Sequence, residues 1–285
     1  DGVRQHGGAV PAGAQLGFTN PNAGQGTVWF TTDGSDPRLP GGAVNTTNAT
    51  RFTGAFQLSS PGTLKARIQN GNEWSALTEA FFAFDQSGVR VSEVHFNPAD
   101  PSQAELAINP DFDNDDFEFV ELVNVGNTIA QLDGIRLVDG IQFDFANVAA
   151  NQIGPDERVV LVRNLEAFST RYNGILDSIT IAGQYDASLS NGGESVQAIS
   201  ALGEQLFEFG YSDNWFDHTD GGGYSLTVRT SGDDNADLSQ STAWRPSNLV
   251  GGSPGSADAA VDPDSLAINE LLATSDGTGW IELQN

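Results

Sequence analysis

An all-β fold built from tandem sandwiches is predicted by three features of the chain. Short runs of β-branched and aromatic residues recur along its whole length, each bounded by Gly, Pro, Asn or Asp. No amphipathic run reaches ordinary helix length except residues 164–172. The chain also repeats itself. Val91-Ser92-Glu93-Val94 returns as Ile268-Asn269-Glu270-Leu271, and Phe119-Val120-Glu121-Leu122-Val123-Asn124 returns as Trp280-Ile281-Glu282-Leu283-Gln284-Asn285. Matching at both strands of a pair means that one module begins twice. The second copy stops where the chain ends, which predicts a cut length of a longer polypeptide.

A length of 285 residues suits about two domains, each large enough to bury its own core. The first runs over residues 1–85. Its strands are read at Leu16-Gly17-Phe18-Thr19, Thr27-Val28-Trp29-Phe30-Thr31, Phe56-Gln57-Leu58, Leu64-Lys65-Ala66-Arg67-Ile68 and Ala80-Phe81-Phe82-Ala83-Phe84. Between the second and third, Asp33-Gly34-Ser35-Asp36-Pro37 has the chemistry of a tight turn, Gly and Pro setting the backbone and aspartates capping nearby amides. Asp85-Gln86-Ser87-Gly88 is a polar hinge. The second domain, residues 86–257, contains the first copy of the repeated strand pair. In it the acidic stretch Asp111-Phe112-Asp113-Asn114-Asp115-Asp116 opens directly into Phe117-Glu118-Phe119-Val120, a segment half surface and half core. Residues 258–285 comprise an acidic, proline-marked linker and the first strands of a third, incomplete module. A lone hairpin is marginal in water, so these strands are expected to dock on a neighbour or to belong to an array.

Two resemblances follow. Val28-Trp29-Phe30-Thr31-Thr32-Asp33-Gly34-Ser35-Asp36-Pro37-Arg38, with Thr63-Leu64-Lys65-Ala66-Arg67 and Glu73-Trp74-Ser75, resembles the immunoglobulin-like module at the C-terminus of chitobiases and bacterial hexosaminidases. That family's module is an accessory sandwich, so the resemblance implies a spacer or carbohydrate-associated domain and transfers no catalytic residue. From Val89 onward, the order of the repeated strand pair, Leu132-Asp133-Gly134-Ile135-Arg136-Leu137, Ile153-Gly154-Pro155-Asp156-Glu157-Arg158-Val159-Val160-Leu161-Val162, Leu189-Ser190-Asn191-Gly192-Gly193-Glu194-Ser195-Val196, Trp244-Arg245-Pro246-Ser247 and Gly252-Ser253-Pro254-Gly255 resembles the lamin tail domain in its large bacterial secreted form. That resemblance implies an immunoglobulin-type sandwich serving as a surface, adhesion or scaffold module. The acidic insertion before Phe117 and the stretch 211–225 depart from the pattern, which makes them the places to seek what is specific to this chain.

The net charge of -26, with Lys65 the sole lysine, argues against unassisted binding to nucleic acid or anionic lipid. It suits a saline or calcium-containing medium, or serves solubility alone. No cysteine is present, which removes disulfides, thiolate metal sites and thiol nucleophiles, and no apolar run is long enough to span a bilayer.

The chemistry on offer is sparse. Three histidines, His6, His95 and His218, lie far apart in sequence. No Gly-x-Ser-x-Gly elbow, P-loop or His-Glu-x-x-His helix occurs. Asp111, Asp113, Asp115 and Asp116 cluster hard oxygen ligands of the kind that hold calcium, as do Asp233, Asp234, Asn235 and Asp237, and the alternative for each is a solvated acidic loop. Neither fits an EF-hand, since in the first the glycine position holds Asp116 and the twelfth holds Leu122. Trp29 and Trp74 are core if buried and a sugar-stacking platform if exposed. Glu93 with Glu121, and Glu270 with Glu282, read as sheet-end hydrogen-bonding groups. Gly221-Gly222-Gly223 marks positive backbone angles or close approach. Asn45-Thr46-Thr47 and Asn48-Ala49-Thr50 are glycosylation sequons that matter only in a eukaryotic secretory host.

The expectation is a non-enzymatic scaffold or adhesion segment of a large extracellular or cell-surface bacterial protein, with calcium as the only cofactor to consider. Its partners would be surface proteins, polysaccharide, or further copies joined through strand edges. The alternatives are a carbohydrate-binding accessory module and an accessory region of a secreted enzyme whose catalytic domain lies elsewhere.

Overall fold

The computed structural model describes residues 5–146, 148–233 and 235–259, and the backbone of two further strands, 267–272 and 280–284. Strands organised in several sheets make up most of the regular structure, and the fold is all-β. In the N-terminal region the strands Gly8–Val10, Thr78–Phe84, Gly62–Asn70, Thr27–Thr31 and Thr50–Arg51 lie side by side in that order, and Glu73–Trp74 also pairs with Gly62–Asn70. Alternation decides the faces. Val28, Phe30, Leu64, Ala66, Phe82 and Phe84 point to one side, where Phe18, Phe52 and Phe56 complete an aromatic core, with Phe30 and Phe56 stacked at 4.5 Å between centroids. The Asp33–Pro37 segment turns as its residues require: Asp33 Oδ1 accepts from the Ser35 amide at 2.9 Å, and Asp36 holds the Arg67 guanidinium at 2.8 and 2.7 Å.

The second region is a two-layered sandwich. One sheet runs Ile181–Gln184, Arg158–Val162, Phe119–Asn124, Val89–His95, Leu226–Val228 and Trp244–Pro246 in that order, and a four-stranded sheet contains Phe143–Asp144, Arg136–Asp139, Ser195–Ile199 and Gln205–Gly210. Between them Val94, Val120, Leu122, Ile135, Phe209 and the fully buried Trp244 form the main core. On the outer side of the first sheet, Phe119, Val160 and Val162 are covered by Phe168 of the helix Leu165–Arg171 and by Tyr172 and Ile179. That helix answers the amphipathic run at 164–172. Asn164 caps it by accepting from the Glu166 and Ala167 amides.

Two expectations need correction. Asp85-Gln86-Ser87-Gly88 is no free hinge: Gln86 is buried and bonds Gln131 O, Asp133 O and the Ala201 amide, locking the entry of the chain to the sandwich. The stretch read as linker is anchored at its start, where Asp258 takes Arg245 and the Asn248 amide, so the sandwich extends through Ala259. The segment opening at Asp111 is half surface and half core as expected: Asp111 and Asp113 are exposed, whereas every residue from Phe117 to Asn124 is buried, Glu118 and Glu121 included.

The repeat is visible in backbone geometry. Glu121 pairs across from Glu93, and the register then slips past Ser92 so that Leu122 meets Val91. In the final hairpin Glu282 pairs across from Glu270, and the register slips past Asn269 so that Leu283 meets Ile268. The same bulge at the same place beside the same carboxylate pair is what a duplicated module requires. Residues 260–266, 273–279 and 285 lie outside the described residues, as does the expectation that these strands dock on a neighbour.

Candidate functional site

Glu93 and Glu121 stand together on the outer face of the sheet, each 1% exposed. What covers them is the segment Gly252-Ser253-Pro254-Gly255, far away in sequence. Glu93 Oε1 accepts from the Ser253 amide at 2.9 Å and the Ser225 hydroxyl at 2.5 Å, and Oε2 accepts from the Ser253 hydroxyl at 3.0 Å. Glu121 Oε1 accepts from Ser92 Oγ at 2.6 Å and faces Arg158 Nε at 3.2 Å, and Oε2 accepts from the Gly255 amide at 2.6 Å. The strap fits because it lacks side chains where it touches. Gly252 has φ +76°, and a Cβ there would overlap Glu93 Oε1 and approach Ser225 Oγ at 2.9 Å. Gly255, at φ +84°, would bring a Cβ to 3.0 Å from Ile179.

Burial pushes the Glu93 carboxyl up to about 7 and the Glu121 carboxyl up to about 8, the latter also through repulsion from Glu93. Beside them a groove of about 740 Å³ is bounded by Arg158, Arg229, Arg245, Asp258 and Thr227, whose buried hydroxyl has no partner. A paired set of raised carboxyls beside a groove resembles acid–base machinery, but all four carboxyl oxygens already face donors supplied by the chain. Arg158 and Arg245 are committed to Glu121 and Asp258. The arrangement joins backbone segments, which agrees with reading these glutamates as hydrogen-bonding groups of the sheet.

The other sequence candidates are dispersed. In the acidic tip, Asp113 Oδ1 and Asp116 Oδ2 accept from each other's amides at 3.2 and 3.1 Å, Asp116 Oδ1 accepts from Asn164 at 3.0 Å, and Asp115 accepts from Asn191 at 3.3 Å. Asp111 stands apart, its amide donating to Asn109 Oδ1. Among the described residues no group of three or more histidines and carboxylates is placed to hold a metal ion. In the later loop Asp233 and Asp237 cap the Asn235 and Ser239 amides, and Asp234 lies outside the described residues. Trp29 and Trp74 are half-buried on the outer face of the N-terminal sheet, opposite its core. Gln69 lies between them, accepting from Trp29 Nε1 at 3.1 Å and pairing across from Trp74, whose Nε1 donates to Gly42 O at 2.8 Å. Asn45 is buried with its amide on Asp36 O, leaving Asn48 as the exposed sequon.

His6 and His218 are exposed, and His95 is buried, so no imidazole cluster forms. Gly221 and Gly223 take φ of +73° and +85°, and Gly222 passes so close to His218 O that a Cβ would sit 2.5 Å away. Asn97 links the acidic tip to the loop holding Asp220, donating to Asp220 at 2.6 Å and accepting from Asn114 at 2.8 Å.

Sequence reasoning missed Glu118, and it named His95 only as one of three scattered histidines. Glu118 is fully buried, with Oε2 accepting from Tyr185 Oη and the Leu189 amide, both at 2.9 Å, and Oε1 unpartnered, and burial raises its carboxyl to about 8. His95, 1% exposed, stands edge-on to Phe119 with both ring nitrogens shut off from solvent, and the Gly223 backbone offers the ring a favourable contact short of a well-formed hydrogen bond. Burial, then the Arg171 charge, drive its pKa down to about 3, so the ring is neutral. Nothing local in sequence marks the burial of either: alternation puts Glu118 on the side of Val120 and Leu122, where Tyr185 and the Leu189 amide meet it, and puts His95 on the outer face, which distant segments cover.

No family model matches the chain, and no curated protein matches it. Among solved structures it is similar to a DUF4876 family protein from Bacteroides thetaiotaomicron, at 11% identity and a TM-score of 0.34, over 83% of this chain and 92% of that one.

Proposed function

We propose that the chain is a non-catalytic structural segment, a length of repeating β-sandwiches that acts as a spacer or scaffold in a larger extracellular or cell-surface protein, with lamin tail-type modules after a chitobiase-type accessory sandwich. One observation carries this reading. The strand by which the chain enters the second sandwich, Val89–His95, and the strap by which it leaves are fastened to each other through Glu93 and Ser253. A pull applied at the two ends of the module is thereby borne in shear by the Glu93–Ser253 and Glu121–Gly255 bonds and the Arg245–Asp258 pair, and does not unzip the sheet one rung at a time. Hydrogen bonds contribute about 0.5–1.5 kcal/mol each when both partners are neutral and about 1.5–3 when one is charged. The equal register and bulge of the final hairpin support use of the same joint in series.

Stretching the chain between its ends in a force spectrometer tests this. The sandwich should yield in one discrete peak, and Ser253→Ala together with Glu121→Ala should lower that force by at least about a third, the fastening supplying a few of the 5–15 kcal/mol that hold a domain. Extension of residues 86–257 without a peak would remove the proposal.

A second reading, a carbohydrate-binding accessory role, is favoured by the placement of Trp29 and Trp74 on one outer sheet face with both indole nitrogens anchored. Stacking of a nucleobase on an aromatic ring is worth about 1–3 kcal/mol per ring, and the less polarisable face of a sugar takes the lower end of that range. Retention on chitin should therefore fall roughly tenfold in Trp29→Ala and again in Trp74→Ala, and a wild-type chain that passes unretained over chitin excludes this reading.

A further inference from the structure

The N-terminal sandwich differs from the rest of the chain in charge. Residues 1–85 carry five lysines and arginines against six carboxylates, whereas residues 86–285 carry seven against 32. Four of those five cations, Arg38, Arg51, Lys65 and Arg67, gather around the outer sheet face that holds Trp29 and Trp74. Pairing in register places Trp29 between Arg51 and Arg67 on the two flanking strands, and residues directly opposite share a face with Cβ atoms about 4.5–5.5 Å apart. Arg38 stands at the other indole. Trp74 Nε1 donates to Gly42 O at 2.8 Å, and a Cβ on Gly42 would lie 3.9 Å from Arg38 Nη2.

Two of the four cations are engaged within the fold. Arg67 holds Asp36 through Nε and Nη2 and donates to Ser75 O from Nη1 at 2.8 Å, and Lys65 pairs with Glu79 at 3.3 Å. Arg38 and Arg51 are exposed, and among the described residues their guanidinium groups have no hydrogen bond or ion pair. With Asp36 and Glu79 neutralised, one free positive charge is left beside each indole. A guanidinium offers two parallel donors that match the two oxygens of a carboxylate, and an indole offers an apolar surface for the C–H groups of a sugar ring. A neutral sugar would leave both arginines unmet, and a simple anion would leave both indoles unused. At physiological salt the Debye length is about 8 Å, so a ligand on this face meets the two free cations at contact and little of the acidic remainder of the chain.

We propose that this face binds an acidic polysaccharide, with sugar rings lying against Trp29 and Trp74 and their carboxylates taken by Arg51 and Arg38. Trp29 and Trp74 stand two strands and two residues apart, about 12 Å at strand spacing, which consecutive rings of one glycan chain span and a single sugar does not. The inference rests on the carbohydrate-binding reading and adds to it the charge of the ligand.

The test is retention of the full chain on polygalacturonate and on its fully methyl-esterified form, which keeps the sugar and removes the charge. Chitin serves as a neutral reference and polyglutamate as a polyanion without sugar rings. All three polysaccharides should retain the chain, and polygalacturonate should do so at least about fivefold more tightly than its ester, the gain expected of two exposed ion pairs. That margin should vanish in Arg38→Gln with Arg51→Gln, and also at about 1 M salt, where the Debye length falls to about 3 Å, while retention on the ester and on chitin persists. Arg136→Gln, at an exposed position of the second sandwich, should leave the margin intact. Equal retention on the acid and the ester, or a margin that survives the double arginine substitution, overturns the acidic ligand and leaves the carbohydrate-binding reading standing. Polyglutamate held as tightly as polygalacturonate also overturns it, by showing a site for any polyanion. Retention on neither galacturonan nor on chitin removes both the inference and the reading beneath it.

Discussion

Gly252→Ala is expected to destabilise the second sandwich by about 2–5 kcal/mol, combining the left-handed penalty for a residue with a Cβ and the cost of overpacking a filled site. The added carbon has nowhere to go: Glu93 Oε1, Ser225 Oγ and the Phe119 ring surround it, the last at 3.2 Å. Moving the strap away breaks the Ser253 bonds to Glu93 and leaves a buried carboxyl unsatisfied. Gly203→Ala supplies the control, since Gly203 also has positive φ, +79°, but nothing lies within 4 Å of its Cβ position. Urea unfolding should show that control losing only about 1–2 kcal/mol. Equal losses in the two variants would mean that the strap is not seated on Glu93.

Stability should also fall as pH rises from 5 to 9. Glu93, Glu118 and Glu121 have folded-state pKa values raised by burial to about 7, 8 and 8, above the unfolded value near 4.5. Between those limits the folded chain holds more protons than the unfolded one. The stabilisation is therefore complete below about pH 4.5 and is lost as pH climbs through 7 and 8. Asp36 and Glu105 act in the opposite sense. Arg67 draws Asp36 down to about 2, and the Arg171 and Ser102 bonds outweigh burial to bring Glu105 to about 2, so their contribution is lost only as pH falls below about 4. The optimum should lie near pH 4.5–5. Tm should drop by several degrees toward pH 9, at about 2–4 °C per kcal/mol for a domain of this size. Surface repulsion from the net charge of -26 acts in the same direction but is screened at high salt, whereas the buried carboxyls are not. Scanning calorimetry at high salt isolates them. A Tm that is flat or rises from pH 5 to 9 contradicts the placement of these three groups.

How much of this was legible in the sequence depends on whether the deciding contact is local. The repeated strand pair was, because a two-residue period and a matched Ser or Asn beside the glutamate survive duplication, and the structure adds the common bulge. The Asp33–Pro37 turn and the helix over 165–171 were legible for the same reason: capping and turn chemistry act within four residues. The short helix Gln103–Ile108 carried its own mark, the Ser102 and Glu105 capping box, though six residues make a weak periodic signal. The burial of Glu93, Glu118, Glu121 and His95 was not legible. Alternation correctly aims Glu93, Glu121 and His95 away from the main core, but their cover comes from residues 172–179 and 223–255, whose arrival no local pattern announces. The tryptophans show the same division. Val28 and Phe30 on the core side place Trp29 outward by alternation alone, while the half-burial of both rings depends on Gln69 and Gly42 from elsewhere in the fold.

The central claim is that a pair of buried glutamates fastens the exit strap to the entry strand. Amide hydrogen exchange measures that joint directly. The Ser253 and Gly255 amides, held by Glu93 and Glu121, should be protected as strongly as the amides of Val89–His95, and in Glu93→Ala both should open before the sheet does. Exchange of the Ser253 and Gly255 amides at free-peptide rates in the wild-type chain, with the Val89–His95 strand still protected, would contradict the account.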